Sequence, residues 1–388
     1  MYDFDTPVDR KNTNSLKWDI KEGELPMWVA DMDFQTSPAI IHALEKRVEN
    51  GVYGYNIIPE EWSRAYINWW DKRHHFKMEK EWLIFCTGVV PAISSCVRKL
   101  TSVGENVLVL TPVYNIFFNS IYNNGRNILQ SRLRYENGAY EIDWKDFEEK
   151  LVNPQTSLLI FCNPHNPVGK IWDKETLARV GELCKKYGVT VISDEIHCDL
   201  TEQGYEYVPF ASVSEVCKDI SVSCIAPTKC FNIAGLQTAA VSVPNPLLRH
   251  KVWRALNTDE VAEPNTFAVQ AAVAAFEEGE PWLEELNAYT TANRRYVEEF
   301  VKNEIPSLSV VSGHATYLLW IDVSKITENS KSFSRFLREK TGLFVSEGKE
   351  YGGDGKNFIR LNVACPRCYV EDGMNRLKEG VSLFLLEK

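Results

Sequence analysis

Residues 189–229 constrain the fold more than any other stretch. An apolar run rich in β-branched residues, Val189-Thr190-Val191-Ile192, turns acidic at Ser193-Asp194-Glu195-Ile196-His197. A second run, Ile220-Ser221-Val222-Ser223-Cys224-Ile225, ends in Ala226-Pro227-Thr228-Lys229-Cys230-Phe231. Both runs are short and bounded by turn-formers, so both read as buried strands. Each delivers its reactive group just beyond the strand's C-terminal end, where open α/β sheets place their ligands.

The flanking chain repeats the pattern. Strands over residues 82–86, 106–110 and 157–161 alternate with helices reaching Leu100, Asn124 and Tyr187, the last capped by Asp173 and stopped by Gly188. This alternation predicts an α/β fold with a doubly wound, mainly parallel sheet. At 388 residues the chain exceeds what one core fills, so two domains are expected. Residues 51–280 read as the large domain and 281–388 as a smaller α+β unit. Residues 1–50 read as an N-terminal arm and part of that smaller unit, because Trp18, Trp28 and neighbouring apolar residues need cover.

Local expectations follow. Residues 127–133 and 139–141 read as strands around a turn at Glu136-Asn137-Gly138, and Ile40, Ile41, Leu44 and Val48 as the buried face of a helix begun by Ser37-Pro38. His74-His75 reads as surface, and Tyr351-Gly352-Gly353-Asp354-Gly355 as a mobile loop.

Charge and composition exclude several classes. A formal net charge of −10 with no Lys/Arg block argues against a nucleic-acid partner. No apolar run is long enough to cross a bilayer, and the acidic start lacks the apolar segment of a secretory signal. The ten cysteines are scattered, which suits reduced thiols in the cytosol. Cys365-Pro366-Arg367-Cys368 has no second pair at zinc spacing, so no metal is expected.

A carboxylate (Asp194) and an amine (Lys229) delivered to one crevice suit pyridoxal phosphate (PLP), with the lysine forming a Schiff base and the aspartate pairing with the pyridine nitrogen. The strand–glycine–helix junction at Thr87-Gly88-Val89 suits a phosphate, or eases a tight turn. Tyr114, after a strand, can stack on a flat ring or fill core. Two Asn-Pro dipeptides in Cys162-Asn163-Pro164-His165-Asn166-Pro167-Val168-Gly169 fix a rigid loop that can hold the Asn166 amide toward the ring's phenolic oxygen. Arg360, flanked by Phe358, Ile359 and Leu361, either points outward or awaits an anion such as a carboxylate.

Taken together, these motifs, with Leu25-Pro26-Met27-Trp28-Val29-Ala30-Asp31-Met32-Asp33-Phe34 and Lys229-Cys230-Phe231-Asn232-Ile233-Ala234-Gly235-Leu236, carry a resemblance over essentially the whole chain. It resembles the fold-type I PLP enzymes of the class I/II aminotransferase superfamily, and within them the MalY/PatB-type cystathionine β-lyases. The resemblance implies that Lys229 carries the cofactor, with Asp194 on the pyridine nitrogen and Tyr114 and Ile196 on the ring faces. Asn166 and His197 would hold the phenolic oxygen, and Gly88 and Val89 the phosphate, whose charge Thr228 and the helix dipole would balance where this chain lacks the superfamily's arginine. It implies that Tyr55 reaches the phosphate from a neighbouring subunit of a homodimer with interface active sites, that Arg360 clamps the substrate carboxylate, and that Ala30 borders the substrate. Ala226 and Gln237 depart from the serine and arginine that aminotransferases of the superfamily often carry there. The implied reaction is α,β-elimination on cystathionine or cysteine-type substrates. Transamination and a regulatory binding role are the alternatives.

Overall fold

The computed structural model describes residues 2–387. Seven strands form the large sheet: β1 (Leu83–Cys86), β2 (Asn106–Thr111), β3 (Asn127–Arg132), β4 (Thr156–Cys162), β5 (Thr190–Asp194), β6 (Ser221–Ile225) and β7 (Ala239–Ser242). Their spatial order is β1-β7-β6-β5-β4-β2-β3. All run parallel except β7, which is antiparallel to both neighbours. The C-terminal ends of the six parallel strands therefore share one edge of the sheet, which brings residues from five separate loops together.

The continuous apolar runs follow from burial on two faces. In β2, Val107 and Val109 pack into one core while Leu108 and Leu110 pack into the other; in β4, Leu158 and Ile160 divide from Leu159 and Phe161 in the same way. A period of two with apolar residues on both sides leaves no polar face to alternate with.

A second sheet holds β8 (Ser309–Val310), β9 (Leu318–Asp322), β10 (Ser346–Glu347) and β11 (Phe358–Asn362) in the order β8-β9-β11-β10, antiparallel throughout. The 25-residue helix Glu280–Glu304 leads into it. The N-terminal arm joins here: Leu25–Pro26 pairs in parallel with Leu343–Phe344, and the Trp28 ring stacks on Phe344 at 4.7 Å.

Four local expectations need correction. The chain leaves the large sheet at Leu133, so β3 is an edge strand, and the Asn137-Gly138 turn instead joins Arg134–Glu136 to Ala139–Glu141. Both turn residues have positive φ, 53° and 80°, which suits the tight hairpin turn that Asn-Gly favours. In the helix Pro38–Glu49 only Ile40 is fully buried, and Val48 is exposed. Tyr351 is buried, with its carbonyl bonded to the Val113 N–H, and Asp354 accepts from Tyr140, so the glycine-rich segment is packed rather than loose.

His74 is the fourth. It is not a surface residue: its Nε2 lies 3.0 Å from Asp199 Oδ1. Trp69 Nε1 and Arg73 Nε donate to the same buried carboxylate, at 3.1 and 2.9 Å. Burial pushes Asp199 upward, but His74, Arg73 and Trp69 together bring it below its ordinary value. Cys198 completes a set that could meet a metal, yet Arg73 already occupies Oδ1, which makes the cluster an ion-pair hub. Asp199→Ala is expected to cost about 1–3 kcal/mol, because it leaves the buried Trp69 N–H without its acceptor, while Arg73 keeps Glu284 at 2.6 Å. A drop of several degrees in melting temperature checks this.

Candidate active site

The parallel sheet edge gathers the predicted residues by strand. Gly88 follows β1 and caps the helix Val89–Leu100, whose first N–H groups have no acceptor within the helix. Tyr114 follows β2, Asn166 follows β4, Asp194 ends β5 with Ile196 and His197 just beyond it, and Thr228 and Lys229 follow β6. His165 Nε2 meets the Pro112 carbonyl at 2.8 Å, which fixes the Asn166 loop against the Tyr114 loop.

Lys229 and Asp194 lie within electrostatic reach of each other. Burial pushes the Asp194 carboxyl up to about 7, against the opposing pull of the Ile196 N–H and of Lys229. Asp194 Oδ1 accepts from that N–H at 3.2 Å. Burial brings Lys229 down to about 8; Asp31 and Asp194 oppose the change and Arg360 adds to it. Burial, then Lys229 and Arg360, hold His197 down at about 3, so its imidazole is neutral.

Arg360 does not point outward. It is buried on β11, donating to the Trp28 carbonyl at 3.0 Å and to Asn166 Oδ1 at 3.3 Å, over the face of Tyr351 at 5.0 Å. This is where the two sheets meet, since Asn166 comes from the large one. Arg360 Nε and His197 Nδ1 are buried with no hydrogen-bond partner among the described residues.

Residues 28–34 bridge the two sheets with their backbone. The Ala30 carbonyl accepts from Lys229 Nζ at 2.5 Å and from Tyr317 Oη at 3.1 Å. Asn362 Nδ2 holds the Val29 and Asp31 carbonyls, each at 2.6 Å. Asn232 grips the Met32 N–H and the Met32 and Phe34 carbonyls. Tyr317, Tyr351, Asn232 and Asn362 were not singled out from the sequence. Asn362 had one local signal: it lies two residues after Arg360 on one strand, hence on the same face.

Tyr55 stands outside this group. It is fully exposed, in an extended stretch where Val52, Tyr53, Ile57 and Ile58 are exposed too. Gln237, where many aminotransferases carry arginine, is exposed with φ of 53°.

Comparison with known proteins agrees across the whole length. The family model for class I and II aminotransferases matches residues 25–377. Cystathionine beta-lyase PatB of Bacillus subtilis (strain 168) is 42% identical over 98% of this chain and 100% of its own. Cystalysin of Treponema denticola, which contains a pyridoxal 5'-phosphate cofactor, superposes with a TM-score of 0.95 at 32% identity, covering 98% of this chain and 99% of its own. A PLP-bound C–S lyase of Staphylococcus hominis, complexed with the inhibitor L-cycloserine, gives 0.93 at 31% identity over 98% of each chain.

Proposed function

The chain belongs to the class I and II aminotransferase family, and from that membership we propose that it is a PLP-dependent carbon–sulfur β-lyase. It cleaves cystathionine or cysteine-type substrates to a thiol, pyruvate and ammonia. The reading rests above all on one observation: a buried carboxylate and a buried amine, Asp194 and Lys229, share the ligand-binding edge of a parallel sheet.

The residues fit the cofactor by what they leave unmet. Asp194 is a buried carboxylate suited to a cationic ring N–H, and His197 Nδ1 is a buried ring nitrogen without a partner. Tyr114 and Ile196 are assigned to the ring faces, Asn166 and His197 to the phenolic oxygen, and Gly88, Val89 and Thr228 to the phosphate, which the helix N-terminus favours. When bound, the cofactor supplies an electron sink for charge developing at the substrate Cα.

The protein's own groups do the rest. Arg360 grips the substrate carboxylate through its planar fork, with Tyr351 beneath and the Trp28 carbonyl behind. Lys229 takes the proton from Cα; its lowered proton affinity keeps part of the amine neutral near pH 7. The Ala30 carbonyl and the Tyr317 hydroxyl lie where that amine rests, so its orientation is fixed before it acts. Asp194 would pair with the ring nitrogen of the bound cofactor, and the electron pair left at Cα would expel the thiolate from Cβ, giving an enamine that water hydrolyses to pyruvate and ammonia.

The active form is a homodimer in which Tyr55 completes the partner's site. The exposed apolar stretch at Val52, Tyr53, Tyr55, Ile57 and Ile58, with Val48 beside it, supports this. Mixing two inactive variants, Tyr55→Ala and Lys229→Ala, is expected to restore activity, since each hybrid dimer holds one intact site; no recovery counts against a shared site. All ten cysteines are free thiols, which supports a reducing, cytosolic setting. Among the described residues no helix is long and apolar enough to cross a membrane.

The test is pyruvate release. The purified protein should absorb in the visible and form pyruvate from L-cystathionine with no keto acid added. Turnover that requires a keto acid would make it a transaminase instead.

A further inference from the structure

The outer side of residues 28–34 carries a cluster of charges that the reaction itself does not use. Arg10 forks onto Asp31, with Nη1–Oδ1 at 3.1 Å and Nη2–Oδ2 at 2.8 Å, and its Nη1 also reaches Asp33 Oδ1 at 2.8 Å and the Met32 carbonyl at 3.0 Å. Lys17, itself buried, pairs with Asp33 Oδ2 at 2.7 Å, and Trp18 Nε1 donates to Asp33 Oδ1. Two cations thus balance two carboxylates. On its inner side the same segment turns the Trp28 carbonyl onto Arg360 and the Ala30 carbonyl onto Lys229.

We propose that Arg10 is a positioning residue for Lys229: its fork on Asp31 holds the segment against the site and offsets the Asp31 charge beside the amine. The proposal rests on reading Lys229 as the reactive amine. Charged and titratable groups face Lys229 from every side: Asp31 from the arm, Asp194 and His197 from the end of β5, Arg360 from β11, and Tyr317 through the shared Ala30 carbonyl. Of these, Asp31 and Asp194 raise its proton affinity, while Arg360 lowers it.

The sign follows from this balance. Without Arg10, the Asp31 charge is offset only by Lys17, 3.8 Å from its Oδ1, so it acts more strongly on Lys229 and favours the protonated form. Without the Asp31 charge, the protonated form loses support. Both changes break the same ion pair, and both leave the Lys17–Asp33 anchor in place. A merely structural role, in which Arg10 packs the segment without its charge reaching Lys229 through Asp31, would therefore move both variants in one direction.

The test titrates the full-length chain loaded with PLP, following its visible absorption against pH. In parallel, the unloaded chain is acetylated with acetic anhydride at a series of pH values, and the Lys229 peptide is quantified by mass spectrometry. Arg10→Gln should raise the midpoint by about 0.5–1 pH unit, and Asp31→Asn should lower it by a similar amount. Shifts of one sign in both variants, or none in either, overturn the proposal. Opposite shifts in a protein that forms no pyruvate would sustain it while removing the lyase assignment.

Discussion

Lys229→Ala is expected to lower pyruvate release by at least about 10⁴-fold, because it removes both the covalent anchor and the general base. The size of the effect follows from where the amine sits. A lysine at its ordinary value is neutral in roughly one molecule in 2,500 at pH 7, whereas one near 8 is neutral in roughly one in ten. Burial accounts for most of that change. Lys229 is the lysine whose charge acts on both Asp194 and His197. PLP should still copurify with the variant, since Asp194, His197 and Asn166 are untouched, but the lysine-linked visible band should be lost. Turnover above a few per cent of wild type would remove Lys229 from its assigned role.

Arg360→Met is expected to separate function from stability. Two charge-assisted hydrogen bonds to a carboxylate contribute about 3–4 kcal/mol together, so kcat/KM should fall by about 10²–10³-fold. The fold should not suffer. Arg360 is a buried cation whose Nε has no partner among the described residues, and its other contacts are the Trp28 carbonyl, the Asn166 amide oxygen and the Tyr351 ring. An apolar side chain of similar volume relieves the cost of burying that charge, so the melting temperature should hold or rise. Arg360→Lys should recover only part of the activity, because an ammonium cannot form the planar fork. An unchanged kcat/KM in the methionine variant would mean that the substrate carboxylate is bound elsewhere.

The elements legible in the sequence share one property: their signals are local. The strand at residues 189–192, the Asp173 cap and the Gly188 stop each follow from a few adjacent residues, and the structure has β5 at Thr190–Asp194 and the helix Lys174–Lys186 with its Asp173 cap bonded to the Thr176 N–H. The misread elements were those in which a long-range partner competes with the local pattern. Residues 127–132 have strand character, but their partner is β2 rather than the following hairpin. His74 looks solvated beside His75 until Asp199, 125 residues away, supplies a buried acceptor.

The candidate site divides along the same line. By itself the sequence determined the residue types at the strand ends: Gly88, Tyr114, Asn166, Asp194 and Lys229 each follow a short apolar run, and parallel strands must carry them to one edge. Only the tertiary structure decided what surrounds them. Ala30 meets Lys229 across 199 residues and Tyr317 across 287, through a backbone carbonyl that no side-chain pattern announces. Arg360 was readable as a costly charge in an apolar strand, but its direction was not, because that depends on Asn166 and Trp28 arriving from two other parts of the chain. Periodicity reports which face of an element is buried; which distant backbone closes over that face is set by packing, and packing leaves no periodic trace.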